Sequence, residues 1–316
     1  MKLILPRSLA PNLTPHLPKA VDVVWHSKEG IEGQVEDTEV YCNDPDFDYG
    51  VHQQILATAS GLRWYHATSA GVNHIVNDLK QRQLSFTNSA GVFADPIAET
   101  VVGYILAQAR AFFYLRSQQK VCRWDTKFDA DTRMYELTGR TLLIVGAGGI
   151  GQVIARRASA LGLRIWGVRR HPSPMPHFDQ VVSADWRSLL PEAHFVVLAT
   201  PLTPETKGMI DATTLRSMRS DAYFINVGRG ELVDEAALLD VLQQGRIAGA
   251  ALDTFQTEPL PGDSPFWSLD NVFVTPHASG LSHRNLGRLA DLFIANLERY
   301  RQGQPLHNQV DLSAGY

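Results

Sequence analysis

The chain has 316 residues, 44% of them hydrophobic and 20% charged, which is enough apolar material for two cores and predicts about two domains. A formal net charge of −4 leaves no electrostatic footprint for nucleic acid. Two cysteines, Cys42 and Cys122, are too few for a disulfide framework and lack metal-type spacing, so no metal site and a reducing cytoplasmic setting are expected.

The N-terminal MKLILP carries a single lysine and a short apolar run before Pro6, too little for a signal peptide. No later stretch is long and apolar enough for a membrane span, so no membrane partner is expected. Residues 1 to about 90 alternate short apolar runs with polar connections. Lys2 to Leu5, Val21 to Trp25, Glu39 to Cys42, Trp64 to Thr68 and Ser85 to Asn88 read as strands. Tyr49 to Ala59 and Val72 to Lys80 read as helices, and the alternation predicts a parallel, helix-covered sheet. After the Trp64 strand, Ser69-Ala70-Gly71 reads on local grounds equally as a nest of backbone N–H groups for an anion or as a plain turn.

From Asp95 to about Arg123 the pattern becomes that of one long helix, with Pro96 in its first turn and Ala98, Val101, Val102, Ile105, Leu106 and Ala109 at helical spacing. Its length suits a crossing between domains or a dimer contact. Residues 125 to 139 read as a polar connecting loop.

The most informative stretch is TLLIVGAGGIG, Thr141 to Gly151. A β-branched apolar run ends at Gly146, and Gly146, Gly148 and Gly151 form G-x-G-x-x-G ahead of a helix closed by Gly162. Gly146 permits a tight strand-to-helix turn, Gly148 lets a pyrophosphate approach the backbone, and Gly151 allows helix and strand to pack closely. The first helical amides, around Gly149, Ile150 and Gly151, then face the phosphates with the positive end of the helix dipole. Placed between a strand and a helix, with a second strand at Leu163 to Val168, the motif predicts dinucleotide binding. Such units commonly carry an Asp or Glu about 20 residues on, for the adenosine ribose. Here that place holds Arg169 and Arg170, whose forked donors suit a ribose 2′-phosphate. NADP(H) is therefore expected in preference to NAD(H), with a solvated basic loop as the alternative.

Four further apolar strands follow, and each stops at a polar or glycine-rich junction. They are Phe195 to Thr200 before Pro201, Ala222 to Val227 before Gly228-Arg229-Gly230, Ala248 to Leu252 before Asp253, and Val272 to Thr275 before Pro276-His277. In an open α/β sheet, ligands bind beyond the carboxyl ends of the strands, so these junctions are expected to line one crevice. Reduction of a carbonyl needs a proton for the developing alkoxide, a role suited to imidazole. A nearby carboxylate orients such a ring, and a guanidinium grips a substrate carboxylate bidentately. His277, Glu258 and Arg229 supply the three groups; singly each reads as an ordinary loop residue, and only their coincidence points to catalysis. A last helix, Ser282 to Arg301, puts Leu286, Leu289, Phe293 and Leu297 on one face, and with the polar tail from His307 it is expected to fold back onto the first domain.

The glycine loop, INVGRGELVDEAAL (225–238), ALDTFQTEPLP (251–261) and NVFVTPHASG (271–280), in that order, resemble the D-isomer-specific 2-hydroxyacid dehydrogenases over essentially the whole chain. The PLP-x-x-SP-x-W segment and the QVD-x-x-x-GY ending are most similar to the glyoxylate/hydroxypyruvate reductase branch. The resemblance implies an α/β fold: a Rossmann-type doubly wound cofactor domain (99–283) plus a flavodoxin-like substrate domain built from both chain ends (1–98 and 284–316), in a homodimer. It implies that Arg229 binds the 2-oxoacid, that Glu258 supports His277, and that His277 is the acid/base. It also implies that Ser69, Ala70 and Gly71 bind the substrate carboxylate through main-chain amides, and that Asp253 meets the nicotinamide carboxamide. Thr200, Pro201, Val227 and Gly228 complete the cofactor contacts. Arg169 departs from the aspartate usual in NAD-dependent members, in agreement with the phosphate argument. The expected activity is NADPH-preferring reduction of glyoxylate or hydroxypyruvate to the D-2-hydroxyacid. A bulkier 2-oxoacid, with Trp64, Phe93, Trp124, Phe128 and Trp267 apolar enough to line a larger pocket although core packing suits most of them better, and a non-enzymatic dinucleotide-sensing protein are the alternatives.

Overall fold

A computed structural model describes residues 1–124 and 134–312, and the chain divides into two compact units, Met1–Phe93 with Ser282–Tyr316, and Ala94–Leu281. The connecting loop expected at 125 to 139 and the end of the tail lie largely outside the described residues, as does Phe128.

The first unit is built on β1 (Lys2–Pro6), β2 (Asp22–Ser27), β3 (Gly30–Ile31), β4 (Val40–Cys42), β5 (Trp64–His66) and β6 (Ser85–Thr87). The sheet order is β3-β2-β1-β4-β5-β6; every pairing is parallel except that of the two-residue β3, which escaped notice because it is too short to show alternation. Without β3 this is the flavodoxin order. The parallel strands are apolar on both faces because helices cover both. On β1, Ile4 joins a core with Tyr41, Ile55, Leu56, Tyr65 and Phe86, while Leu3 and Leu5 join Leu9, Leu13, Val40 and Trp64 on the other side.

Helix α1 (Ala10–Leu13), α2 (Tyr49–Thr58) and α3 (Val76–Leu79) belong to this unit. Asp48 caps α2 by accepting the Val51 amide at 2.8 Å. The helix expected from Val72 shrinks to the single turn α3, although Val72 and Ile75 are still buried. The C-terminal helix of the chain (Asn285–Arg301) buries Leu289, Phe293 and Leu297 in the core with Trp64. Leu286 was expected on that face; the helix begins three residues later than predicted, and Leu286 in its first turn is 42% exposed. The following tail stitches to β6, with Gln309 bridging Thr87 antiparallel and the Val310 amide donating to the Phe86 carbonyl at 2.8 Å.

The second unit opens with α4 (Ala94–Ala109) and α5 (Phe112–Lys120). One long helix was expected here. Its buried stripe ends at Ala109, α5 buries none of its residues, and Ala111 between them has φ 52°, so no packed face carries the first helix onward. Seven parallel strands follow: β7 (Thr141–Val145), β8 (Arg164–Val168), β9 (Gln180–Val182), β10 (Phe195–Leu198), β11 (Tyr223–Asn226), β12 (Gly249–Leu252) and β13 (Val272–Val274). The order β13-β12-β11-β10-β7-β8-β9 is the doubly wound arrangement, with its reversal at β7. Helices α6 (Gly149–Ser159), α7 (Ala212–Arg216) and α8 (Glu235–Gln243) connect them, and the chain's last helix becomes α9. Helix α4 packs along α6, where Arg157 reaches Asp95 at 2.6 Å and Glu99 at 3.2 Å. No described helix is long and apolar enough to cross a membrane.

Candidate active site

All seven strands of the second unit run the same way, so their carboxyl ends form one edge, and the expected cofactor and catalytic residues of this unit lie there. Gly146 turns out of β7 with φ 113°, and a β-carbon on it would meet the Ala199 carbonyl at 2.5 Å. One on Gly151 would meet the Gly146 oxygen at 2.2 Å, so these two positions let β7, α6 and the end of β10 close together. The Gly146 and Ala147 amides donate to Val168 O at 3.1 and 2.8 Å, which pins the turn against β8. Helix α6 starts with no side-chain cap at Gly148, so its first-turn amides, at Gly149, Ile150 and Gly151, face outward for an anion. The space where β-carbons of Gly148 and Gly149 would stand is open. This cradle fits a pyrophosphate.

The β7–β8 register places Val145 opposite Val168, so Arg169 leaves the sheet beside the glycine turn. Arg169 and Arg170 are both exposed, and Arg169 Nη1 lies 3.2 Å from Met175 Sδ, a weak acceptor that leaves the guanidinium donors to be taken by a phosphate. Along the same edge, the Ala199 amide ties the segment before Thr200 and Pro201 to Val145, and Val227 is buried.

After β11 the Gly228-Arg229-Gly230 turn is shaped by Asn226, a residue the sequence reading did not single out. Its Oδ1 accepts the Gly228 amide at 3.0 Å, and its Nδ2 donates to the Arg229 carbonyl at 3.0 Å. Arg229 is half-buried, with Nη1 donating to the Gly228 carbonyl at 2.7 Å. A β-carbon on Gly230 would lie 1.9 Å from the Phe255 carbonyl carbon, so this turn presses directly on the loop that carries Glu258. In that loop Glu258 Oε1 accepts the Phe255 amide at 3.0 Å. Glu235 braces the same loop by accepting the Gln256 amide at 2.6 Å, and burial pushes its carboxyl above the usual range.

Glu258 Oε2 lies 2.8 Å from His277 Nδ1. The pair is partly open to solvent, with side chains 37% and 47% exposed. With Nδ1 engaged, Nε2 is the ring nitrogen left for proton exchange. His277 has φ 51°, a left-handed conformation that costs a side-chain-bearing residue about 1 kcal/mol or more. Asp253 sits beneath this turn, 1% exposed, and its carboxylate accepts the Thr275 hydroxyl at 2.6 Å, the Ala278 amide at 2.8 Å and the Ser279 amide at 3.0 Å.

In the first unit, the Ser69-Ala70-Gly71 loop is held by Asn88 Nδ2, which donates to the Ala70 carbonyl at 2.8 Å, and Ser69 Oγ donates to the Gly71 carbonyl at 2.9 Å. Asn88 was also missed, since nothing local marks it. Of the aromatics considered for a larger pocket, Trp64 is fully buried and stacks on Phe293 at 5.2 Å, and Phe93 packs against the same core. Trp124 is 91% exposed, and Trp267 is half-exposed with its indole donating to Pro261 O at 2.8 Å.

The family model for the D-isomer specific 2-hydroxyacid dehydrogenase NAD binding domain matches residues 102–279, more than half of the chain. The chain belongs to that family. It is an NAD(P)-dependent oxidoreductase, and the matched span covers the glycine turn and the strand ends just described. Among its relatives, the glyoxylate reductase of Korarchaeum cryptofilum is 33% identical over 296 residues, covering 90% of this chain and 86% of that protein. The glyoxylate/hydroxypyruvate reductase B of Citrobacter koseri is 33% identical over 305 residues, covering 95% and 90%. A D-isomer specific 2-hydroxyacid dehydrogenase from Xanthobacter autotrophicus Py2, solved in complex with NADPH and MES, superimposes with a TM-score of 0.87 at 28% identity, covering 100% of this chain and 99% of that one.

Proposed function

We propose that this dehydrogenase reduces small 2-oxoacids, glyoxylate and hydroxypyruvate first among them, to D-2-hydroxyacids, with NADPH the preferred electron donor. The observation that carries the reading is the 2.8 Å contact between His277 Nδ1 and Glu258 Oε2, with the Arg229 turn pressed against the loop that carries Glu258. The relatives named glyoxylate reductase and glyoxylate/hydroxypyruvate reductase support the substrate class, and the NADPH-bound relative supports the cofactor.

The glycine turn and the first amides of α6 hold the pyrophosphate, and Arg169 and Arg170 receive the ribose 2′-phosphate. Thr200, Pro201, Val227, Gly228 and Asp253, at the same strand-end edge, would hold the remainder of the cofactor. The bound nicotinamide supplies the hydride for C2 of the substrate. Arg229 grips the oxoacid and polarises its carbonyl. His277 Nε2 gives a proton to the carbonyl oxygen as negative charge develops there, and Glu258 steadies the imidazolium. In the first unit, the Ser69-Ala70-Gly71 loop offers main-chain amides suited to a carboxylate.

The test is nicotinamide absorbance during turnover, with NADPH and then NADH, against glyoxylate, hydroxypyruvate, pyruvate and phenylpyruvate. Faster oxidation of NADPH with the two small acids is the expected result. Turnover restricted to phenylpyruvate would move the substrate class. Tight cofactor binding with no turnover of any acid would overturn the enzymatic reading in favour of a sensing protein.

A further inference from the structure

Helix α4 reaches the turn that carries His277 at two points one helical turn apart. Tyr104 Oη lies 2.7 Å from Thr275 Oγ1, and Thr100 Oγ1 donates to the Ser279 carbonyl at 3.2 Å. Thr275 Oγ1 donates in turn to Asp253 Oδ1 at 2.6 Å. Chemistry sets the direction of this chain. A carboxylate only accepts, so the Thr275 proton goes to Asp253, and the Thr275 oxygen takes the proton of Tyr104. Burial pushes the Tyr104 phenol up to about 12, which keeps it a donor at neutral pH.

Asp253 thus binds residues on both sides of His277 to a single buried side chain. The Thr275 hydroxyl precedes the histidine, and the Ala278 and Ser279 amides follow it. The Asp253 main-chain carbonyl also accepts the His277 amide at 2.8 Å. His277 sits at φ 51°, a conformation its own side chain disfavours, so the turn persists because its neighbours hold it.

We propose that Tyr104 and Thr275 are positioning residues for the proton transfer, the chain Tyr104–Thr275–Asp253 fixing the left-handed turn that aims His277 at Glu258. This role rests on His277 being the proton donor. Neither hydroxyl touches the reacting atoms, and both act through the backbone of the turn. The Tyr104 ring packs edge-on against Phe273 at 5.8 Å, a contact that survives removal of the hydroxyl.

The experiment follows hydroxypyruvate reduction by NADPH with the full-length protein, from neutral into alkaline pH, for Tyr104→Phe, Thr275→Val, Thr275→Ser and the Tyr104→Phe/Thr275→Val pair. Tyr104→Phe and Thr275→Val should each lower kcat roughly 3- to 10-fold, the weight of one buried hydrogen bond. The KM for NADPH should change less than kcat. The alkaline limb of kcat should move to lower pH, because a loosened turn weakens the hold of Glu258 on the protonated ring. Thr275→Ser should recover most of what Thr275→Val loses, and the double variant should resemble Thr275→Val alone, since both cut one chain. A purely structural role would lower Tm and the active fraction while leaving the limb unmoved. That result overturns the positioning role, as does a Tyr104→Phe protein with the native kcat and pH profile. His277→Ala measured alongside separates the two levels. If it retains turnover, the proton-donor reading falls and the positioning role with it. If it loses turnover while Tyr104→Phe does not, only the positioning role falls.

Discussion

His277 Nδ1 and Glu258 Oε2 stand 2.8 Å apart although they lie 19 positions apart in the chain. The carboxylate is itself tied down by the Phe255 amide at 3.0 Å, so the ring meets a fixed partner. His277→Ala is expected to lower kcat by roughly 100-fold or more, the usual weight of a general acid, with little change in NADPH affinity. Glu258→Gln keeps the size and removes the charge, and should give a smaller loss. Stopped-flow turnover with fluorescence titration of NADPH checks both, and native turnover by His277→Ala would remove the residue from the mechanism.

Arg169 emerges from β8 next to the glycine turn and is exposed. Arg169→Asp should exchange a phosphate donor for a ribose acceptor. The ratio of kcat/KM for NADPH over NADH is expected to fall about 100-fold, equivalent to roughly 2.7 kcal/mol. An unchanged ratio would show that the guanidinium makes no phosphate contact.

Gly146→Ala forces a methyl group to within 2.5 Å of the Ala199 carbonyl, on a residue whose φ of 113° already excludes side chains. The expected cost is roughly 3 kcal/mol or more of stability, with weakened cofactor binding. Urea unfolding with and without NADPH measures both, and a variant as stable as the parent would contradict the close approach.

Acid should destabilise the first unit. Burial lowers His52 to about 4, against the opposing pull of Asp78 at 3.4 Å, and lowers His66 to about 3. Both folded values lie below the unfolded one, so the unfolded chain binds more protons and stability falls as pH drops below about 6.5. The two rings together should make the fold about 4 kcal/mol less stable at pH 5 than at pH 7. Urea midpoints at the two pH values test this; equal midpoints would mean that the rings accept protons without leaving the core.

The glycine turn and the strand-end residues were readable because each is announced by its neighbours: an apolar run stops, and a glycine, arginine or histidine follows. Tyr104 and Asn226 were not readable, because each matters through one hydrogen bond to a turn that only the folded sheet supplies. Trp64 reads equally as a pocket wall or as core from its size alone, and its place in the core depends on Phe293 and Tyr300, more than 200 residues later, which stack against it. The break at Ala111 was hidden because the apolar Phe112-Phe113-Tyr114-Leu115 that follows it prolongs the pattern, and only the loss of burial marks the change.

The placement of α9 has a consequence for how the protein is made. Leu289, Phe293 and Leu297 close the core that Leu3, Leu5 and Trp64 begin, yet almost 200 residues of a different unit are translated in between. On the ribosome, the middle unit can complete its seven-stranded sheet while the first strands still wait with an uncovered apolar face. Helix α9 is thus translated after the middle unit and closes over strands translated before it.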